Sequence, residues 1–267
     1  MKEFFEELEI SFKPKSFGII PVGNERGGHI ILKKLQKSLR RIETETILSD
    51  FKKEHGEFTV DFEKNDGKFT AECKFLALAT GGFAGKFRQS NNFRYKKYNV
   101  FGLVEKNGGK IINSECVFRH PFGYGIGKSV LLGNEVAKGK FIDSQGNAVF
   151  DKRISKLLEE NNYHEVFREI LKQSENRRKK NRKVFFEDAR GKIEVFPVVH
   201  YTAGGIKANA IGEVEELPGL FAIGECRADG SKNGGRLPGY PLTSAIVNAK
   251  KLAGEISQRI QTEKIKL

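Results

Sequence analysis

An apolar run, Leu220-Phe221-Ala222-Ile223, leads straight into GECRADGSKNGGRLPGYP, residues 224–241, before a helical pattern starts near Leu242. The glycines and prolines of this stretch exclude a regular helix until its end. A chain that runs a strand into such a loop either turns tightly or lets its backbone approach a ligand. Glu225 follows the strand at once and can accept hydrogen bonds from sugar-like hydroxyls. Arg236, set between Gly235 and Leu237, can grip a carboxylate through two parallel N–H bonds. The helix behind the loop points its positive end back at whatever the loop holds, which favours an anion.

The same plan recurs elsewhere. KFLALAT, residues 74–80, reads as a strand buried on both faces, and it ends in Gly81-Gly82. Open α/β sheets place ligands at that end of their strands. HYTAGG, residues 200–205, sets His200 after an apolar segment and before two glycines, Gly204 and Gly205, that admit close approach. FRHPFGYG sets His120 in a similar design. A lone histidine is usually structural, but two in one local design single out both. GYGIGKS, residues 123–129, lacks the first glycine of a phosphate-cradling loop because Phe122 occupies that position, so it reads as a turn.

Around these motifs the spacing predicts a short helix over 2–8, an extended segment through 20 and a helix over 29–41. Strands follow over 46–50, 57–62 and 69–73, with a hairpin turn at Asp66-Gly67. Residues 141–197 are rich in Lys, Arg and Asn, helical from about 151 to 173, and read as a small inserted subdomain. A final amphipathic helix covers about 242–259. Strands alternating with helices give an α/β class.

Composition narrows the function. The net charge of +13 would attract phosphate, yet it is spread among acids. Only Arg177-Arg178-Lys179-Lys180-Asn181-Arg182-Lys183 is dense, and it reads as a solvated loop or helix end, so no nucleic-acid partner is expected. Three scattered cysteines, Cys73, Cys116 and Cys226, imply neither a metal site nor a disulfide framework. No apolar run reaches the roughly 20 residues of a membrane span, and the acidic start is no signal peptide, so a cytoplasmic protein is expected. Abundant Lys and Glu fit heat adaptation.

KFLALATGG, FRHP, HYTAGGI, LPGLFAIGE and GGRLPGYPLTSAI, in this order and at these intervals, resemble the FAD-binding flavoproteins of the fumarate reductase, succinate dehydrogenase and L-aspartate oxidase family. The likeness runs from about Glu3 to Ile256. It implies an incomplete FAD-binding, Rossmann-like domain with a β-rich segment over 1–140, a reduced capping subdomain over 141–197, and the C-terminal part of the FAD-binding domain over 198–267. It further implies FAD as cofactor, with Glu225 on the ribityl chain and Thr80, Gly81, Gly82, Gly205, Gly224 and Leu242 beside the cofactor. His120, His200 and Arg236 match the residues that hold a dicarboxylate against flavin N5. Tyr163 falls where the family places its proton-donating arginine.

The family's strand and GxGxxG helix start, which bind the pyrophosphate, have no counterpart here. The resemblance therefore implies that a separate chain supplies that half, or that the chain is a fragment. Arg168 matches a second family arginine, and Tyr240-Pro241-Leu242 replaces a family NSL segment. Two functions are expected to compete. One is an FAD-dependent oxidoreductase, or half of a split one, moving a hydride between flavin and a small carboxylate. The other is a non-catalytic remnant of the fold that serves as an interaction or regulatory module.

Overall fold

The computed structural model describes residues 2–15, 18–25, 27–39, 42–92, 99–125, 130–132, 139–150, 153–154, 156, 163–230 and 240–265. The chain opens with helix α1 (Lys2–Glu7), the hairpin β1 (Phe12–Lys15) and β2 (Gly18–Pro21), and helix α2 (Gly27–Ser38). Phe4, Phe5, Ile10 and Ile31 close a small core there, against which Ile246 of the last helix packs.

Alternation then builds an antiparallel meander of β3 (Ile47–Glu54), β4 (Glu57–Lys64) and β5 (Gly67–Cys73). The turn between β3 and β4 uses His55 and Gly56, both at positive φ (51° and 89°), as a two-residue hairpin requires. Phe58 and Val60 of β4 point to one face and are buried, while Thr59 between them is only half-buried. This period-2 pattern is the one the sequence displays.

The remaining elements are β6 (Leu76–Leu78), α3 (Val100–Lys106), β7 (Ile111–Ile112), β8 (Val117–Tyr124), β9 (Val130–Leu131), β10 (Lys140–Ile142), α4 (Tyr163–Lys179), β11 (Val184–Asp188), β12 (Gly191–Thr202), β13 (Gly205–Ile206), β14 (Leu220–Ala222) and α5 (Tyr240–Ile265). β6 and β14 pair in parallel, and β13 pairs with β7. The main core gathers Phe51, Phe58, Leu78, Val100, Val104, Ile206, Val214 and Leu220 from these elements. Mixed helix and strand content confirms the α/β expectation.

The strand expected over 74–80 needs a correction. β6 is only three residues long and is not buried on both faces: Leu78 is buried, but Ala77 is exposed. Among the described residues it pairs with β14 alone, so one edge and part of one face lack a covering layer.

A five-stranded antiparallel sheet, ordered β10-β11-β12-β8-β9, forms the rest. α4 and the sheet enclose a second core of Phe122, Val166, Ile170, Val184, Phe186 and Val195, with Phe141 stacked on Phe122 at 4.2 Å. The expected subdomain limits at 140/141 and 197/198 fall inside β10 and β12, so hydrogen-bonded strands cross both. The register of β12 against β8 shifts between Phe196 and Val198 and again before Tyr201. Pro197 at the first shift has no N–H to give the ladder, which suits an irregular position. α4 ends in Arg177-Arg178-Lys179, so the start of the basic run is a helix end, where cations complement the negative pole.

α5 starts at Tyr240, two residues before the expected Leu242, and runs on to Ile265. Pro241 in its first turn loses nothing by lacking an N–H. Arg259 on α5 donates to both carboxylate oxygens of Glu213, at 2.7 and 2.8 Å, and to Glu255 at 2.8 Å. The guanidinium holds the Glu213 carboxyl below its usual range. Arg259→Met keeps the stem but strands Glu213, and is expected to cost about 1–2 kcal/mol. Urea denaturation measures the loss, and an unchanged midpoint would mean that the pair contributes nothing.

Candidate functional site

Because β6 and β14 are parallel, their carboxyl ends emerge on the same edge. The Ile223 amide donates to the Leu78 carbonyl at 3.0 Å, carrying the pairing one residue further. Gly224, at φ 69°, then turns the chain into a 3₁₀ turn (Gly224–Cys226), a conformation that favours glycine. The turn buries Cys226, whose thiol donates to the Leu78 carbonyl at 3.0 Å. Burial pushes that thiol's pKa up, which leaves it protonated and inert.

The same turn aims Glu225 at the end of β12. Its Oε1 accepts from the Thr202 amide at 2.9 Å and from the Thr202 hydroxyl at 3.3 Å. The hydroxyl in turn accepts from the Phe83 amide at 3.4 Å. Thr202 is 0% exposed, so these partners replace water completely. Gly82 lies against this knot, and a Cβ there would overlap both the Glu225 carboxylate and the Thr202 hydroxyl. Gly81 stands at φ 76°. Three segments distant in sequence, 80–83, 200–202 and 224–226, thus meet at one edge. The sequence reading found Thr80, Gly81, Gly82 and Glu225 but missed Thr202, whose only signal was its place inside HYTAGG.

Gly205 behaves differently. A Cβ there would run into the carbonyl of Cys226 and stand 3.0 Å from the Ala228 amide. The close approach expected at Gly205 is therefore made by the protein's own backbone. Leu242 sits in the first turn of α5 with its side chain 42% exposed. Three residues on, Ala245 lies 3.8 Å from where a Cβ on Gly224 would stand, so the start of α5 backs the Glu225 turn.

The two histidines stand on adjacent strands, His120 on β8 and His200 on β12, with ring centroids 6.3 Å apart. The exposed His200 ring has Nδ1 3.2 Å from Asn91 Oδ1, an acceptor that places the proton on Nδ1. The His200 carbonyl accepts from Asn92 Nδ2 at 2.9 Å. His120 Nδ1 accepts from the Phe122 amide at 3.2 Å, which leaves its proton on Nε2. Phe167 of α4 meets the His120 ring edge-on at 5.4 Å and is itself 42% exposed. The sequence reading missed Asn91, Asn92 and Phe167, because neighbours across a sheet leave no local pattern.

Burial, helped by the charge of His200, pushes the His120 pKa down to about 4, so the ring is neutral near pH 7. The unfolded chain, at about 6.5, then binds the proton better than the native one. Stability is expected to fall as pH drops from about 6.5 to 4, by about 1–2 kcal/mol after allowance for the water still reaching the ring. His120→Gln should flatten that part of a stability-against-pH curve measured by urea denaturation; an unaltered slope would count against the assignment.

Tyr163 is the first residue of α4, one turn ahead of Phe167. Arg168 pairs with Glu165 at 2.7 Å on the helix surface. Arg236 lies outside the described residues, as do positions 126–129 of the GYGIGKS stretch. Among the described residues no three His, Cys, Asp or Glu gather as metal ligands, and no helix is long and apolar enough to cross a membrane.

The family described as "FAD binding domain" matches residues 21–242. L-aspartate oxidase of Clostridium perfringens is 27% identical over 210 residues, covering 70% of this chain and 48% of that protein. The enzyme of the same name from Pyrococcus horikoshii is 27% identical over 211 residues, covering 68% and 42%. Among solved structures, E. coli quinol fumarate reductase superposes with a TM-score of 0.75 at 17% identity, over 98% of this chain and 56% of that one. The chain thus spans about half the length of the relatives it matches. With the strand ends, the Glu225 turn and the family match over most of the chain in agreement, this protein belongs to the FAD binding domain family.

Proposed function

We propose that this chain forms the substrate-facing half of an FAD-dependent oxidoreductase that transfers a hydride between flavin and a small carboxylate, such as a dicarboxylate. The observation that carries the reading is the knot of Glu225, Thr202 and Gly82 at the carboxyl ends of β6 and β14. The residues present fit the cofactor: Glu225 is a carboxylate with acceptor capacity beyond its Thr202 bonds, flanked by glycine backbone at Gly81 and Gly82. Glu225 would hold the ribityl chain, with Thr80, Gly81, Gly82, Gly224 and Leu242 around the cofactor, while Gly205 packs on the chain's own backbone behind them. When bound, the flavin supplies hydride transfer at its N5.

The chain's own residues would bind and polarise the substrate. His200, held by Asn91, presents its other ring nitrogen, and neutral His120 offers an Nε2 proton to a carboxylate oxygen. Arg236 would grip the carboxylate through paired N–H bonds. Tyr163 would stand where a proton is delivered. A GxGxxG segment, on a separate polypeptide or on the same one, would complete the pyrophosphate site. A cytoplasmic, heat-adapted setting belongs to the same proposal.

One observation favours the competing reading of a non-catalytic remnant: the aromatic Phe167, not a cation, covers His120. Absorption spectra of the purified chain, alone and with a GxGxxG partner chain, test the proposal. The reading expects a flavin band and reduction of fumarate or a related enoate only in the complemented protein. A stoichiometric band from the chain alone would sink the split arrangement. A complemented flavoprotein without enoate turnover would leave the remnant.

A further inference from the structure

A cavity of about 470 Å³ lies between the end of α4, the segment at Arg88 and Gln89, and the middle of β12. We infer that it binds a small di- or triphosphate anion, either inorganic or carried on a nucleoside. Four cations line it: Arg88 from the segment after β6, and Arg178, Arg182 and Lys183 from the end of α4 and the turn after it. The described lining supplies one carboxylate, Glu194, and that lies 2.8 Å from Lys183.

Cations at a helix C-terminus complement the helix dipole, which accounts for Arg178 by itself. It does not account for Arg88, which arrives from a different part of the chain. Nor does it account for Ser174, which lines the same cavity from α4 and is 4% exposed. The Ser174 hydroxyl makes no hydrogen bond to another described group. The hydroxyl opens onto the cavity, where it can donate to an oxygen of a bound anion.

Guanidinium groups grip phosphate oxygens in pairs, and like charges around one cavity repel until an anion enters. Val195 and Pro197 add an apolar wall, and the volume suits a ligand of nucleotide size. Arg178 donates to the Gln89 side chain. Gln89 precedes the segment whose Asn91 and Asn92 hold His200, so the cavity lies behind that support.

Isothermal titration of the full chain at 150 mM salt (~8 Å screening length), with ADP, pyrophosphate and adenosine in turn, tests this. One-to-one binding of ADP and pyrophosphate, and none of adenosine, is expected. ADP at least tenfold tighter than pyrophosphate would mark a nucleoside-borne ligand, and equal affinities an inorganic one. The double variant R178Q/R182Q should weaken ADP tenfold or more, and S174A several-fold, with thermal midpoints near that of the parent. Binding that is not one-to-one, or that both variants keep intact, overturns the inference. So does stoichiometric displacement of ADP by FAD, which would assign the cavity to the cofactor.

Discussion

Glu225→Ala is expected to destabilise the protein by about 3 kcal/mol and to abolish flavin retention in the complemented protein. The carboxylate is the acceptor for the amide and hydroxyl of Thr202, and Thr202 is fully buried. A hydrogen bond to a charged group contributes about 1.5–3 kcal/mol, and a buried donor left unmet costs its full desolvation. Glu225→Gln keeps an oxygen at the same place and should cost only about 1 kcal/mol. Guanidinium denaturation of both variants, read beside their flavin absorbance, separates the two roles of this side chain. A Gln variant as stable as the parent but without flavin would mean that the negative charge serves the cofactor rather than the fold. An Ala variant as stable as the parent would show that water reaches the Thr202 amide, and the knot would lose its meaning.

Phe58→Ala is expected to cost about 3–5 kcal/mol. The ring is fully buried, faces Phe51 at a centroid distance of 6.3 Å and stands 3.3 Å from where a Cβ on Gly219 would sit. Phe58 therefore joins the meander to the entrance of β14, and its loss opens a cavity between the two. Phe58→Leu keeps most of the volume and should cost less than about 1.5 kcal/mol. Urea denaturation monitored by circular dichroism resolves a difference of this size. A Phe58→Ala midpoint close to that of the Leu variant would mean that the meander closes over the gap.

Much of the fold was legible because its signals are local. Thr59 is half-buried between the buried Phe58 and Val60, and that alternation in the sequence marked β4 before any partner was known. The amphipathic spacing marked both ends of α2 and the start of α5 to within a few residues, while α5 runs on past the expected 259 to Ile265. Glu225, Gly81 and Gly82 were legible because a glycine or an acid at a strand end has few other uses. The claim that residues 74–80 form a doubly buried strand failed because an apolar run records the capacity for burial, not the presence of a covering layer. Ala77 has that capacity and is nevertheless exposed.

Gly205 and Thr202 mark the other limit. A glycine in sequence states that something comes close; only the structure showed that at Gly205 it is the backbone of residues 226–228. Thr202 carries no local signal beyond its place between His200 and two glycines, yet its amide and hydroxyl connect three segments. The acid and glycines that follow the two apolar runs, and the pair of histidines, could be read along the chain because each depends on neighbours within a few positions. It takes the folded chain to show that Asn91 orients His200, that Phe167 covers His120, and that Arg88 meets Arg178 and Ser174 at one cavity. These contacts join residues about 50 to 110 positions apart, and no local periodicity encodes where a sheet and a helix will bring such residues together.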